Sequence, residues 1–231
     1  MAASKLEYIV EGITGALIMG FSLITPFLND RRRNWGATKD EINRNYPGDN
    51  LVPNPKGVYM HAITIKAPAE EVWRWLVQIG QGRGGFYSYE LLENIIGCKI
   101  RNAETIVPEL QNLKVGDNIP MHPSMGSPYK VATIEPDSTL ILELRANVQT
   151  GETFELGEKL PEKYQNQSWL LLLEEIDDGT TRLISRSRND WNESFGNTVF
   201  YGIFGPLTLE MDRKMLLGIK KRAEAGTKVR P

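Results

Sequence analysis

The chain of 231 residues is 41% hydrophobic and 24% charged, an ordinary globular composition that excludes disordered and low-complexity proteins. Its 27 basic residues nearly balance 29 acidic ones, so no overall positive field favours nucleic acid as a partner. The single cysteine, Cys98, and the two histidines, His61 and His122, argue against a disulfide framework and against a metal centre. No cofactor is predicted.

The first predicted element is an apolar segment, residues 9–28, in which Glu11 is the one charged side chain. As a helix it would rise about 30 Å, the thickness of the hydrocarbon core of a bilayer. Arg31, Arg32 and Arg33 follow at once, and the positive-inside rule then places the main domain in the cytoplasm. We therefore predict a single-pass anchor in the cytoplasmic membrane. An interfacial or core helix and a signal peptide are the alternatives.

A stripe of small residues runs along this helix, since Gly12, Ala16 and Gly20 recur every four positions. Small residues at this spacing let two helices approach closely, which predicts a possible homodimer contact. The ordinary occurrence of glycine and alanine in apolar helices is the alternative explanation.

After this N-terminal segment (residues 1–33), residues 34–57 are predicted to form a linker with a short helix, which Thr38 and Glu41 open as a capping box. Alternating and helical patterns then predict a strand, two helices, four strands and a long C-terminal helix. The predicted ranges are 58–66, 68–79, 88–96, 129–135, 139–146, 168–176, 180–188 and from 200 onward. Gly205-Pro206 is expected to kink the last helix or to set its start. The main domain is predicted at 58–225, with a tail at 226–231.

This order of elements predicts an α+β fold. A sheet with one apolar face must bury that face, and the long C-terminal helix is the large amphipathic partner that the sequence offers. We expect a curved antiparallel sheet that wraps around this helix.

Several motifs resemble those of a bacterial polyketide cyclase/dehydrase-like group in the START-like, or SRPBCC, superfamily. The motifs are Trp35-Gly36-Ala37-Thr38, Pro47-Gly48-Asp49, Leu76–Gln81, Arg83–Ser88, Asn102-Ala103, Val107-Pro108-Glu109 and Met211–Arg222. The resemblance extends over about residues 34–223. It implies the helix-grip fold, in which an apolar ligand occupies a cavity between the sheet and the C-terminal helix.

Large aromatic and sulfur-containing side chains are expected to enclose this cavity, with plain core packing as the alternative. The predicted ligand-binding residues are Phe86, Tyr87, Tyr89, Trp169, Arg186, Arg188, Trp191, Phe200, Phe204 and Met211. Arg186 and Arg188 share a face of their strand with Ile184, and the pattern leaves open whether that face is the inner or the outer one.

A glycine-rich loop offers a competing interpretation, because Gly80, Gly82 and Gly85 match the dinucleotide motif G-x-G-x-x-G. That motif requires a strand before the loop, whereas here a predicted helix precedes it. We therefore expect a tight connection rather than a nucleotide site. Arg83 in this loop either meets an anionic ligand or stays solvated.

The sequence is compatible with two functions from different classes and with a third interpretation that involves no ligand. The first is membrane-tethered binding or transport of a hydrophobic small molecule or lipid. The second is a cyclase- or aromatase-like enzyme without a metal, for which the catalytic candidates are His61, Tyr87 and Arg186. The third is an interaction module with a filled core.

The surroundings of the cavity distinguish these functions. Four residues serve as the test: His61, Glu143, Arg186 and Arg188. Burial of two or more of them around one cavity would favour the enzyme, and an entirely apolar cavity would favour the carrier.

Overall fold

The computed structural model describes residues 5–124, 126–177 and 179–227, with only the backbone described for Pro26, Thr198 and Phe200. Within these residues it contains six α-helices and six β-strands. The helices are α1 (Lys5–Ile24), α2 (Asn29–Arg33), α3 (Lys39–Asn43), α4 (Ala69–Leu76), α5 (Glu90–Ile95) and α6 (Phe195–Thr227). The strands are β1 (Gly57–Ile65), β2 (Asn118–Ile119), β3 (Tyr129–Glu135), β4 (Thr139–Asn147), β5 (Tyr164–Asp177) and β6 (Thr180–Trp191).

The six strands form one antiparallel sheet in the order β1-β6-β5-β4-β3-β2. The sheet curves around α6, which packs against α4 and against β1. The predicted α+β helix-grip fold, with an additional N-terminal helix, is confirmed.

Both faces of the sheet are covered, which explains why β5 carries a continuous apolar run. Successive side chains of a strand point to opposite faces. On β5, Trp169 and Leu171 therefore belong to the inner core with α4 and α6, whereas Leu170 and Leu172 belong to a second cluster on the outer face.

The segment predicted as a linker supplies the cover of the outer face. Thr38 opens α3 with the predicted capping box, in which its hydroxyl accepts from the Glu41 amide at 3.2 Å and Glu41 accepts from the Thr38 amide at 2.6 Å. Beyond α3, Tyr46 and Val52 are buried against the sheet. The capping box is confirmed, and residues 34–56 form a packed layer of the main domain.

The C-terminal helix α6 begins at Phe195 and continues through Pro206 to Thr227. It therefore starts earlier than the predicted position 200, and Gly205-Pro206 does not set its start. A proline inside a helix leaves the carbonyl four residues earlier without its usual donor. That carbonyl belongs to Gly202, which is exposed, so water can satisfy it. Residues 228–231 of the predicted tail lie outside the described residues.

Helix α1 packs against α5 and α6 instead of standing apart from the domain. Gly12 faces Leu91, and a Cβ at Gly15 would lie 2.6 Å from the ring of Tyr89, so both glycines permit a close approach. Near the C-terminal end of α1, the Ser22 hydroxyl donates to Glu210 of α6 at 3.0 Å. The stripe predicted for a homodimer is thus partly occupied within the chain: Gly12 is buried, while Ala16 and Gly20 are exposed.

Among the described residues, α1 is also the helix that is long and apolar enough to cross a membrane, with a mean hydropathy of 1.4 over its most apolar part. Only 17% of that part is buried inside the protein. A core helix of a soluble protein or a signal sequence meets the same criterion of length and composition.

Candidate functional site

A cavity of about 240 Å³ lies between the inner face of the sheet, α5 and α6. Its wall is mainly apolar, with a few hydroxyl and carboxyl groups. The lining residues are Tyr59, Phe86, Ser88, Glu93, Ile96, Cys98, Ile100, Met121, Tyr129, Trp169, Ser187, Thr208, Met211, Asp212 and Met215.

Regular periodicity of the elements brings these side chains together. The strands contribute inner-face positions such as Trp169 of β5 and Ser187 of β6, which pair directly in the sheet. Helix α6 contributes Thr208, Met211 and Met215, whose three- and four-residue spacing places them on one stripe of the helix. The cavity therefore exists where this stripe and the curved sheet do not fill the space between them.

Helix α5 contributes a buried carboxyl group to the cavity wall. Glu93 is only 2% exposed, and its Oε2 atom has no hydrogen-bond partner among the described residues. Burial raises the pKa of Glu93 from 4.5 to about 7, and the neighbouring charge of Glu90 acts in the same direction. Ser88, just before α5, is 3% exposed, and its hydroxyl is also without a partner there.

A second buried carboxyl group, Asp212 of α6, is held by a network of polar groups. The Trp169 indole donates to the Ser185 hydroxyl at 2.9 Å, and that hydroxyl donates to Asp212 Oδ1 at 2.8 Å. His61 Nδ1 lies 2.7 Å from Asp212 Oδ2, but the two atoms are too far out of line for a hydrogen bond. Asp212 thus joins β1, β5, β6 and α6.

The other ring nitrogen of His61 connects this network to the N-terminal segment. His61 Nε2 lies 2.7 Å from the carbonyl oxygen of Arg32, so it donates a proton to that oxygen. Arg32 in turn donates to the carbonyl of Thr25 at 2.9 Å and lies 3.5 Å from Glu210. The buried histidine therefore holds α2 against the sheet.

Two tyrosines lie opposite α6 in the cavity wall. Burial raises the pKa of both Tyr59 and Tyr129, and the charge of Asp212 raises that of Tyr59 further. The Tyr129 hydroxyl donates to Gln167 Oε1. Both phenols are therefore neutral at physiological pH, where they serve as hydrogen-bonding groups.

Of the predicted ligand-binding residues, Phe86, Trp169 and Met211 line the cavity. Tyr87 lies behind the wall, where its hydroxyl donates to the Trp75 carbonyl at 3.2 Å and accepts from Gln78 at 2.9 Å. Tyr89 faces α1, with the ammonium of Lys214 5.6 Å from its ring centre. Tyr87 thus packs against α4 and Tyr89 against α1, so neither of these predicted residues lines the cavity.

Three further predicted residues lie near the N-terminal half of α6. Trp191 stacks on Tyr201 with ring centres 3.7 Å apart, outside the cavity wall. Phe204 is exposed, and the side chain of Phe200 lies outside the described residues.

The two predicted arginines lie on the outer face of the sheet, away from the cavity. Arg186 donates through Nε to Asp49 at 2.9 Å and also lies 5.2 Å from the ring centre of Tyr46. Arg188 donates to the carbonyl of Val52 at 2.9 Å. Residues 34–56 thus supply the partners of both arginines, which face outward together with Ile184.

None of the four residues chosen to distinguish enzyme from carrier lines the cavity. His61 lies in a neighbouring groove beneath α1, and Glu143 pairs with Arg145 on the outer face at 2.7 Å. The cavity is nonetheless not entirely apolar, because Glu93 and Asp212 both reach it. Neither carboxyl group is among the predicted site residues: Glu93 lies between Leu92 and Asn94 on α5, and Asp212 follows the predicted ligand-binding residue Met211.

The groove beneath α1 is larger and more open, with a volume of about 530 Å³. Leu17 and Phe21 of α1 form one side, and Trp35 and Leu209 form another. The guanidinium of Arg213 lies 5.0 Å from the ring centre of Trp35. Ser22 of α1 and Glu210 of α6, which are hydrogen-bonded to each other, also line this groove.

The glycine-rich loop forms a compact connection without an anion site. The backbones of Gly80 and Gly85 bond to each other at 2.9 and 3.1 Å, and both have positive φ angles of 126° and 76°. The guanidinium of Arg83 donates to the backbone carbonyls of Ile79 and Val77, which follow α4. Among the described residues, no group of three or more His, Cys, Asp or Glu side chains could hold a metal ion.

No protein-family model matches the chain, and no curated protein matches it in sequence. Solved structures are similar to it at low identity. Norcoclaurine synthase from Thalictrum flavum, in complex with dopamine and hydroxybenzaldehyde, is 14% identical with a TM-score of 0.42, over 81% of this chain and 96% of that one.

Two further solved structures are similar. The Aha1 dimer from Colwellia psychrerythraea is 16% identical over 74% of this chain and 98% of that one, with a TM-score of 0.40. A conserved protein from Geobacillus kaustophilus is 16% identical over 74% of this chain and 97% of that one, with a TM-score of 0.38. At these identities the similarity concerns the fold alone.

Proposed function

We propose that this protein binds an apolar small molecule in the cavity between its sheet and α6, and that it does so at a membrane surface. The observation that carries the binding function is the unfilled volume of about 240 Å³ between the sheet, α5 and α6, which opens to the surface beside the exposed Ile96 and Met121. Protein interiors are close-packed, with few voids larger than a water molecule. An engineered apolar cavity of about 150 Å³ already binds benzene. The volume here suits a ligand of about two fused rings, and it opposes an interaction module with a filled core.

The membrane association is supported by an exposed apolar surface along α1 and the end of α5. Large apolar side chains at least a third exposed cluster there: Leu6, Ile9, Val10, Ile13, Leu17, Phe21, Leu23, Ile24, Phe27, Ile95 and Ile96. Patches of this kind mark membrane or partner surfaces rather than ordinary monomer surface. The surface borders the cavity wall at Ile96, so an apolar ligand would pass from lipid to protein without crossing water.

The contacts of α1 favour a helix that lies on the membrane. Its opposite face packs against α5, and its polar groups pair with α6 through Glu11 with Lys214 and Ser22 with Glu210. A helix crossing the bilayer would lose these contacts. The single-pass anchor, with the domain in the cytoplasm, stays a prediction that the experiment below also tests.

The binding function is tested with a variant that fills the cavity. Met211→Trp adds volume at a cavity-lining position, whereas Leu217→Trp makes the same kind of change at an exposed position of the same helix. Native mass spectrometry of the purified proteins should detect a small apolar ligand on the wild type and on Leu217→Trp. It should find Met211→Trp empty. A wild type that is repeatedly empty, and that binds no added apolar probe, would contradict the proposal.

The membrane association is tested with a matched pair of exposed isoleucines. Ile13 on α1 and Ile176 at the end of β5 are 56% and 57% exposed, so Ile13→Glu and Ile176→Glu differ mainly in position. Only Ile13→Glu should abolish co-sedimentation with phospholipid vesicles. Release of the wild type from cell membranes by alkaline carbonate indicates a helix lying on the surface, and retention indicates a spanning helix.

A second function, acid–base catalysis on the same ligand, is favoured by one observation. Glu93 and Asp212 both reach the cavity, and a carboxyl group whose pKa is about 7 can accept and return a proton near neutral pH. The candidates His61, Tyr87 and Arg186 do not line this cavity. If Glu93 catalyses a reaction, wild type and Glu93→Gln purified from the same cells will carry different compounds. The same compound on both proteins supports binding alone.

A further inference from the structure

The cavity has one end whose hydrogen-bonding groups the protein itself leaves unsatisfied. Glu93 Oε2 and the Ser88 hydroxyl are buried, line the cavity and have no partner among the described residues. We propose that the ligand of this cavity is an apolar molecule with a hydrogen-bond-donating head, an amine or a hydroxyl, that binds the Glu93 carboxyl group. This inference rests on the proposed binding function and names the class of its ligand.

Two other polar groups of the wall each have at least one partner. Asp212 accepts from Ser185 through Oδ1, while its Oδ2 has no hydrogen bond, and Tyr129 donates to Gln167. Buried polar side chains in folded proteins are nearly always hydrogen-bonded, since a buried group without a partner loses its hydration and gains nothing. A buried carboxyl oxygen that lies at the cavity wall without a hydrogen bond, as at Glu93, therefore indicates a partner that comes from outside the chain.

The charges around Glu93 exclude anionic heads. In the part of the chain that the structure describes, no lysine, arginine or histidine lines the cavity. The titratable groups that line this space with Glu93 are Cys98 after α5, Tyr59 and Tyr129 on the sheet, and Asp212 on α6. Glu90 on α5 lies outside the wall, where it accepts from the Asn102 amide, but its charge acts on Glu93. On the side of α1, Lys214 is paired with Glu11 above Tyr89. A fatty-acid carboxylate or a phosphate would therefore meet a carboxyl group without a neutralising cation.

Four probes that share one ring system separate the head from the body of the ligand. Naphthalene has no polar head, 1-naphthylmethanol has a hydroxyl, 1-naphthylmethylamine has an ammonium and 1-naphthoic acid has a carboxylate. Titration calorimetry at about pH 8, where Glu93 is ionised, should give an affinity for the amine at least about tenfold above that for naphthalene. The alcohol should lie between the two, and the acid should bind more weakly than naphthalene.

Variants identify the group that recognises the head. Glu93→Gln keeps the shape of the side chain but removes its charge, so the amine should lose about tenfold in affinity while naphthalene is unaffected. Glu109→Gln, an exposed carboxylate changed in the same way, serves as the control and should change nothing. Because the side chain introduced by Glu93→Gln presents an amide donor, the acid should bind this variant more tightly than it binds the wild type.

The pH dependence gives an independent readout. The affinity for the amine should rise as the pH increases through about 7, where the Glu93 carboxyl loses its proton, and the affinity for naphthalene should stay constant. In Glu93→Gln this rise should disappear.

Each failure has a distinct meaning. If naphthalene and the amine bind wild type equally, water rather than a ligand satisfies Glu93, and the inference is overturned while the binding function stands. If none of the four probes binds, and the purified protein is also empty, both the inference and the proposed function fail.

Discussion

Charged side chains are buried or partly buried on both sides of the sheet, but the two sides differ in whether these charges have a partner of opposite sign. On the outer face, Arg182 lies 2.7 Å from Glu41 and Arg186 lies 2.9 Å from Asp49, so each buried cation has a carboxylate. On the inner side, Glu93 is more deeply buried than these groups, and no described lysine or arginine lines the cavity beside it. Paired charges hold residues 34–56 on the sheet, whereas the unpaired carboxyl group of Glu93 is the one that we propose to bind the head of a ligand.

The largest expected effect breaks a pair on the outer face. Arg186→Met leaves the partly buried Asp49 without its main partner and should lower the free energy of unfolding by about 3 kcal/mol in urea titrations, the low end of the range for broken buried pairs. Arg188→Met is the matched control, because Arg188 lies 3.7 Å from Asp49 and donates chiefly to backbone carbonyls. It should cost about 1 kcal/mol. Equal losses in the two variants would show that the Asp49–Arg186 pair has no special role.

The next largest effect is a gain in the free energy of unfolding, and it concerns the unpaired carboxyl group of Glu93. The pKa of Glu93 is raised to about 7 in the folded protein, so deprotonation costs more there than in the unfolded chain. The ligand-free wild type should therefore lose stability as the pH rises from about 4.5 to about 7. Glu93→Gln removes this loss and should be more stable than wild type by about 3 kcal/mol above pH 7.

The measurement that checks this second prediction is urea unfolding across that pH range. The advantage of Glu93→Gln should shrink towards zero below about pH 4.5, where the wild-type carboxyl is protonated in both states. An advantage that does not depend on pH would mean that packing, and not charge, explains the effect.

A smaller effect is expected at Asp212, a cavity carboxyl group that does have partners. Asp212→Asn replaces the oxygen that faces His61 with a group that matches it less well, and should destabilise the fold by about 2 kcal/mol. Hydrogen exchange of α2 should increase at the same time, because His61 holds the Arg32 carbonyl. The exposed Asp177→Asn serves as the control, and unchanged exchange in α2 would contradict the role of His61.

The smallest effect concerns a pair at the surface. Glu11 is 53% exposed where it meets Lys214, so water screens the attraction between them. Glu11→Gln should lower the free energy of unfolding by less than about 0.5 kcal/mol. A loss comparable to that of Arg186→Met would mean that α1 is docked mainly through this charge.

Much of the fold was predictable because its signals are local. Alternation over 139–146 and 180–188 and the capping box at Thr38 each depend on neighbouring residues, and the structure has both strands and the capping box. The period of two also placed Arg186 and Arg188 on one face with Ile184. Whether that face is the inner or the outer one could not be predicted, because it depends on residues 34–56, and the Asp49 that pairs with Arg186 is far from it in the sequence.

The candidate site was less predictable, because it depends on which face of each element turns inward. At the end of α5, the apolar Ile95 and Ile96 are exposed, whereas the charged Glu93 is buried. Helix α1 occupies the other side of α5 through Gly12 and Leu91, and this contact decides the rotation of α5.

The sequence by itself therefore determined the order of the elements, the antiparallel sheet and its partnership with the C-terminal helix. The tertiary structure decided which charges are paired, where the core stays unfilled and where α1 docks. Local hydrogen bonding and periodicity act over a few residues and can be read along the chain. A cavity and an unpaired carboxyl group arise only where elements distant in sequence meet, so their existence depends on the packing of all of them together.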